Sequence, residues 1–149
     1  MVRILSTFFY AGYFPFMPGT FASFVAALLV FLIAGNTGLH LLLTAVFLII
    51  GFLVSGRAEK LFGKKDARYI VIDEVAGIFI SFAFIPYDIK LIICGFILFR
   101  ILDALKPYPA AYLETKKGSV GVMTDDIVAG IYTNIILQFV LRLTSFKAS

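Results

Sequence analysis

Ionisable side chains stand at the edges of apolar runs in three places. Asp73 and Glu74 lie in IVIDEVAG (70–77), Arg100, Asp103 and Lys106 in FRILDALKPYP (99–109), and Asp125 and Asp126 in GVMTDDIVAG (121–130). Charges beside apolar segments are costly unless they serve a purpose. Arg100 and Asp103, three residues apart, share a helix face, and Lys106 follows a turn later, before Pro107. Several carboxylates, with one His (His40) and one Cys (Cys94) in the whole chain, suit a hard cation such as Mg²⁺ held through oxygen. Two basic side chains beside that ion suit a phosphate. Helix starts at Thr20 and Asp125 would add backbone donors for an anion. Such a site could polarise a phosphoryl group and acidify an attacking water.

Each piece alone also fits a plainer role. Thr124 and Asp125 could cap a helix, Arg100 and Asp103 could be a surface pair, and Asp73 and Glu74 could be acids favoured by a helix dipole. Thr20, with Ser23 three residues on, fits a helix cap as well as a ligand. The set as a whole is harder to dismiss, because nearby bases do not pair off all of its acids.

The elements that must position these groups are read from a chain that is 61% hydrophobic and 15% charged, with a mean hydropathy of +1.01. Soluble domains run at about 45–50% apolar and about 25% charged. The composition therefore predicts an integral membrane protein, in a single domain over residues 1–149. With 17 Phe, 7 Tyr and no Trp, Phe and Tyr are left as interface anchors. The formal charge of +4 does not signal nucleic acid, since the bases sit in short loops where they set topology or meet anionic lipid. Cys94, inside an apolar run, reads as a small buried hydrophobe, and a lone Cys allows no intrachain disulfide. The N-terminus lacks a cleavable signal pattern.

Residues 4–17 are apolar and aromatic but broken by Gly12 and Pro15, so a re-entrant or interfacial segment is expected. Five apolar runs follow: 18–34, 39–55, 69–87, 89–105 and 127–143. Each holds roughly 14–19 apolar residues against the ~20 that cross a bilayer. The expected fold is all-α, an integral membrane bundle of about four to five short transmembrane helices. Small pairs such as Gly51/Ser55 and Gly77/Ser81 would allow close helix packing. His40, just past the turn at 35–38, reads as an interface residue rather than a catalytic base.

Residues 57–68 carry five basic and two acidic side chains and read as a solvated basic face touching lipid headgroups. With Lys106, Lys116 and Lys117 in the later loop, they place that loop and the N-terminus in the cytoplasm. All the singled-out acids and bases then fall at helix ends on one side of the membrane. Five crossings would put Arg142 and Lys147 outside, against the same rule.

The three blocks above, with PGTFAS (18–23) ahead of them, resemble in order the motif blocks of the phosphatidylglycerophosphatase A family. The resemblance covers residues 12–130 and keeps every charged motif position. It implies an all-helical, Mg²⁺-dependent enzyme of the bacterial inner membrane. That enzyme is multi-pass, with its active site toward the cytoplasm. It implies hydrolysis of the terminal phosphate of phosphatidylglycerophosphate to phosphatidylglycerol in phospholipid synthesis. The partners are thus a phospholipid substrate and the bilayer, with no nucleic acid.

On residues and resemblance together, Asp103, Asp125 and Asp126, with Asp73 or Glu74, are expected to hold Mg²⁺. Arg100, Lys106 and Thr20 would bind the phosphomonoester. Asp73, Glu74, Asp103 and Asp126 are the candidate catalytic carboxylates: one orients water, or one attacks to form an aspartyl-phosphate. Two rival functions are a phosphatase for another lipid monoester and a small cation transporter. The transporter predicts acids near the bilayer midplane on broken helices.

Overall fold

The computed structural model describes the backbone of residues 1–147 and the side chains of residues 1–143. Every regular element in it is helical. A short α1 (Val2–Ser6) and a 3₁₀ turn (Ala11–Tyr13) precede α2 (Pro18–Leu32), α3 (Thr37–Phe62) and α4 (Ile72–Ser81). Then come α5 (Ile89–Leu105), the short α6 (Ala110–Glu114) and α7 (Ser119–Lys147). The side chain of Lys147, whose charge bore on topology, lies outside the described ones.

The core is built on α4. Its ten residues span about 15 Å at 1.5 Å per residue, and eight of them are buried. It packs against α2, α3, α5 and α7. The apolar run 69–87 was expected to be a spanning helix. Instead it is this short central post, which ends at Phe82 and turns through Ala83–Ile85.

Glycine lets α4 and α7 cross in direct contact. A Cβ on Gly130 would sit 2.5 Å from the carbonyl oxygen of Gly77, and one on Gly77 would sit 2.8 Å from that of Asp126. The backbones of α4 and α7 therefore touch where they cross, which only residues without side chains permit. Asn134 on α7 donates to the carbonyls of Ser81 (3.1 Å) and Ala83 (2.7 Å). Register therefore runs in steps of four in the same direction on both helices, Gly77 beside Gly130 and Ser81 beside Asn134. One step back lie Asp73 and Asp126. Gly51 of α3 accommodates Met123 of α7 in the same manner, and Ser119 Oγ accepts from the Gly56 amide at 2.8 Å.

Contacts at the helix ends fix direction. Arg100, at the end of α5, reaches Glu74 at the start of α4, while Gly95 of α5 packs on Phe82 at the far end of α4. The starts of α2, α4 and α7 and the ends of α3 and α5 consequently share one pole of the bundle.

Two helices, Thr37–Phe62 and Ser119–Leu143, are long and apolar enough to cross a membrane; α2 is apolar but shorter. Length and composition thus support two spans where four to five were expected. The N-terminal segment, expected to be re-entrant or interfacial, folds as the broken α1 and 3₁₀ pair. It is pinned to the bundle where the Val71 amide donates to Ser6 O at 2.9 Å.

Three local expectations are corrected. His40 is buried, 1% exposed, with Nε2 2.8 Å from the Phe79 carbonyl, because the first turn of α3 docks on the end of α4. Cys94 is exposed, since α5 turns that face away from α4. Thr20 is no cap: α2 begins at Pro18, whose missing N–H costs nothing at a first helical position, and the N-cap position falls on Met17, which makes no side-chain capping bond.

Candidate active site

At the shared pole lies a cavity of about 340 Å³. The first turn of α4 supplies Asp73 and Glu74, where the positive end of the helix dipole favours acids. The last turn of α5 supplies Arg100 and Asp103. Lys106 follows in the left-handed conformation (φ 46°), which ends α5 and carries the side chain back over the cavity. α7 contributes Asp125 and Asp126. The start of α2 contributes Gly19 and Thr20. Every residue expected at the site lines this one cavity.

The ion pairs are specific. Arg100 Nη1 lies 2.9 Å from Asp103 Oδ2 and 3.6 Å from Glu74 Oε1. It also donates to Ser23 Oγ at 3.4 Å, tying α5 to α2. Lys106 Nζ bridges Asp125 Oδ2 and Glu114 Oε1, both at 2.8 Å. Burial alone would lower the pKa of Lys106, but its bonds to Asp125 and Glu114 outweigh burial and hold it above the usual value. It is therefore a permanent cation near neutral pH, suited to binding an anion and unsuited to acting as a base.

Asp73, Asp125 and Asp126 are 5%, 7% and 3% exposed, an extreme degree of burial for carboxylates. Glu74 Oε2, Asp125 Oδ1, Asp126 Oδ1 and Thr20 Oγ1 are buried without a hydrogen-bond partner. Each such atom costs about 1–3 kcal/mol, more for a charged group. Gly19 packs so tightly on the Glu74 carboxylate that a Cβ there would overlap it.

Six carboxyl groups and three basic side chains line the cavity, so negative charge is in excess. Oxygen-only donors, four of them orphaned on residues that line one cavity, fit a hard divalent cation. Among the described residues no three acidic, His or Cys side chains yet stand close enough together to enclose an ion. Arg100 and Lys106 hold Glu74, Asp103 and Asp125 in ion pairs instead. A bound cation would compete with them for these carboxylates.

One expected contribution is not found. Asp125 is not at a helix start, because α7 begins at Ser119, and Asp125 lies nearly two turns inside it. Backbone N–H groups there are spent in the helix. Gly19 and Thr20 line the cavity from the first turn of α2, where backbone amides have no partner within the helix.

Three residues escaped the sequence reading. Asp66 and Arg68 line the cavity although the stretch 57–68 reads as a solvated basic face. α3 in fact continues to Phe62, so only its end and the following loop form that face. Asp66 takes a left-handed turn (φ 46°), and its amide donates to Glu59 Oε1 at 2.9 Å. Glu114 completes the Lys106 bridge. An acid among bases was the available signal for Asp66; Glu114 carried none.

Fold and site together suit one class: an all-helical bundle that gathers carboxylates, a guanidinium and an ammonium around a cavity at one pole has the groups that hydrolysis of a phosphoric monoester uses, and the comparisons assign the chain to that class. The family model described as "PgpA: Phosphatidylglycerophosphatase A" matches residues 4–141. This chain belongs to the phosphatidylglycerophosphatase A family.

It is 34% identical over 144 residues to a phosphatidylglycerophosphatase A of Escherichia coli K12, covering 93% of this chain and 82% of that one. It is 32% identical over 140 residues to the phosphatidylglycerophosphatase A of Haemophilus influenzae, covering 91% and 86%. A protein of Bacteroides thetaiotaomicron, provisionally named a phosphatidylinositol-3-phosphatase, is 33% identical over 143 residues, covering 90% and 89%. No solved structure matches the chain.

Proposed function

We propose that this protein removes the terminal phosphate of phosphatidylglycerophosphate, in a Mg²⁺-dependent reaction at the cytoplasmic face of a bacterial inner membrane. The observation that carries the chemistry is the set of orphaned, buried oxygens on Glu74, Asp125, Asp126 and Thr20 around one cavity flanked by Arg100 and Lys106. Family membership supports the lipid substrate.

In this reading Asp103, Asp125 and Asp126, with Asp73, hold the metal ion. Bound Mg²⁺ would supply the positive charge that polarises the phosphoryl oxygens and acidifies water. Arg100 and Lys106 bind the phosphomonoester, helped by the Thr20 hydroxyl and the first-turn amides of Gly19 and Thr20. Glu74 is anchored by Arg100 through Oε1, which leaves Oε2 to orient the attacking water and receive its proton. Closure of Gly19 on that carboxylate limits where it can point.

Membrane placement is supported by the surface. Leu42, Ile49 and Leu53 on α3, Ile93, Ile97 and Leu105 on α5, and Ile135, Phe139 and Leu143 on α7 are all exposed. Apolar surface on that scale marks contact with lipid or partners. Arg57, Lys60, Lys64, Lys65, Lys116 and Lys117 cluster at the cavity's pole, which supports a cytoplasmic, multi-pass orientation.

Phosphate release by the purified protein in detergent tests this. Release from phosphatidylglycerophosphate should require Mg²⁺ and stop with EDTA. The provisionally named relative favours one alternative, phosphatidylinositol 3-phosphate, as substrate. Release from that lipid and not from phosphatidylglycerophosphate would move the assignment. Cation flux through vesicles without hydrolysis would replace it with a transporter.

A further inference from the structure

A second cavity, also about 340 Å³, lies between α2 and α5 and is lined only by apolar side chains. It lies along the same two helices that carry Thr20 and Arg100 at the first one. On α2, Phe24, Ala27, Leu28 and Phe31 follow Thr20 by four, seven, eight and eleven residues, a single helix stripe. On α5, Ile97, Phe96, Ile93, Ile92 and Ile89 precede Arg100 by three, four, seven, eight and eleven, again one stripe. The faces that carry Thr20 and Arg100 at the polar pole therefore become the walls of an apolar groove. The Arg100–Ser23 contact at 3.4 Å marks the boundary, with Phe24 and Phe96 edge-to-face just beyond it at 6.4 Å.

The floor is Ala27 (4% exposed) and Ile92 (6%), while Phe24, Leu28, Phe31, Ile93 and Ile97 stand up at 39–56% exposure. The small side chain of Ala27 is what leaves the furrow open. At 1.5 Å per residue the groove runs about 10–12 Å along both helices, starting one turn from the phosphate-binding groups. A bilayer leaflet's hydrocarbon is about 15 Å deep. One acyl chain descending from a headgroup at the polar cavity would lie along this length.

We propose that the α2–α5 groove is the binding site for an acyl chain of the lipid phosphomonoester, and that it couples chain recognition to the phosphate site through Arg100 and Ser23. The proposal rests on the lipid phosphatase reading above and names how that substrate is held. It makes the enzyme selective for chain-bearing monoesters over water-soluble ones.

Wild-type protein in phosphatidylcholine vesicles is photolabelled with a phosphatidylglycerophosphate carrying a diazirine midway along one chain. Labelling is expected in peptides covering 24–31 and 89–97, and excess unlabelled lipid phosphomonoester should suppress it. Labelling of the outward face of α3 at Leu42, Ile49 and Leu53 to the same extent, or labelling that the competitor does not reduce, overturns the proposal and leaves ordinary bilayer contact.

In parallel, Ala27→Phe fills the floor and Ile93→Trp narrows a wall that is already half exposed. Each should lower kcat/KM for long-chain phosphatidylglycerophosphate about tenfold relative to its dibutanoyl analogue in the same variant. Equal losses on both substrates, or none, refute the groove. A wild-type protein inactive on either substrate instead refutes the function on which it rests, and the labelling pattern still decides the groove.

Discussion

Replacing Gly130 with alanine tests the geometry on which the site depends. The added Cβ would meet the Gly77 carbonyl oxygen at 2.5 Å and the Gly77 Cα at 3.2 Å, where ordinary contact begins near 3.4 Å. Both opposing atoms are backbone inside a buried crossing, so no side chain can swing aside. α4 and α7 must part by about 1 Å. Overpacking of this kind costs about 1–3 kcal/mol. The larger effect falls one turn away. Asp73 and Asp126 sit four residues before Gly77 and Gly130 on parallel helices, so the same parting separates the two carboxylates. A misplacement of about 1 Å at a reacting centre costs roughly 10²-fold, or about 2.7 kcal/mol of barrier. The assay is phosphate release with saturating Mg²⁺, alongside thermal unfolding in the same detergent. Gly130→Ala should lose about a hundredfold in kcat/KM while still unfolding cooperatively at a lower Tm. A variant within threefold of wild type would show that the crossing does not position the acids.

Asp126→Asn keeps the shape but removes a buried charge; it should cut phosphate release at least about a hundredfold without lowering Tm, whereas full activity would exclude Asp126 from the reaction. Lys106→Ala strips the 2.8 Å partner from both Asp125 and Glu114 and should raise KM about tenfold or more. Lys106→Arg should restore it only in part, because the longer, planar guanidinium does not fit the position from which a single Nζ lies 2.8 Å from both carboxylates, and full recovery in that variant would count against this geometry. Asp66 gives a pH test. Burial raises its pKa, Lys106 opposes this, and Glu114, Glu59 and Asp103 add to it. An acid raised on folding weakens the fold once ionised, so the penalty is absent below its unfolded pKa near 3.8 and grows as pH climbs through the folded value. Asp66→Asn should therefore unfold at a higher temperature than wild type at about pH 8, with the gap closing toward about pH 4; a gap constant with pH would refute this.

Much of the candidate site was legible in the chain because its signals are local. Charge is rare in so apolar a sequence, and each acid or base stands at the edge of an apolar run. Helical periodicity and the positions of Lys and Arg were enough to bring Thr20, Asp73, Glu74, Arg100, Asp103, Lys106, Asp125 and Asp126 to one pole. Helix content follows from the same local facts.

What local facts could not supply is which run becomes the middle of the bundle. Run 69–87 reads like its neighbours, yet it folds as a ten-residue helix enclosed by four others, because Gly77 meets Gly130 only in three dimensions. The same holds for His40, whose hydrogen bond reaches across 39 residues to Phe79, and for Glu114, whose value lies in sharing Lys106 with Asp125. Asp66 was read as solvated because its sequence neighbours are basic, whereas cavity membership depends on where a left-handed turn aims it. Composition and spacing determined that this chain is helical, apolar and armed with a one-sided set of acids and bases. The tertiary structure alone decided which of those groups touch and where an apolar groove opens beneath them, because contact and cavity are properties of backbones crossing at a distance, which no stretch of sequence contains.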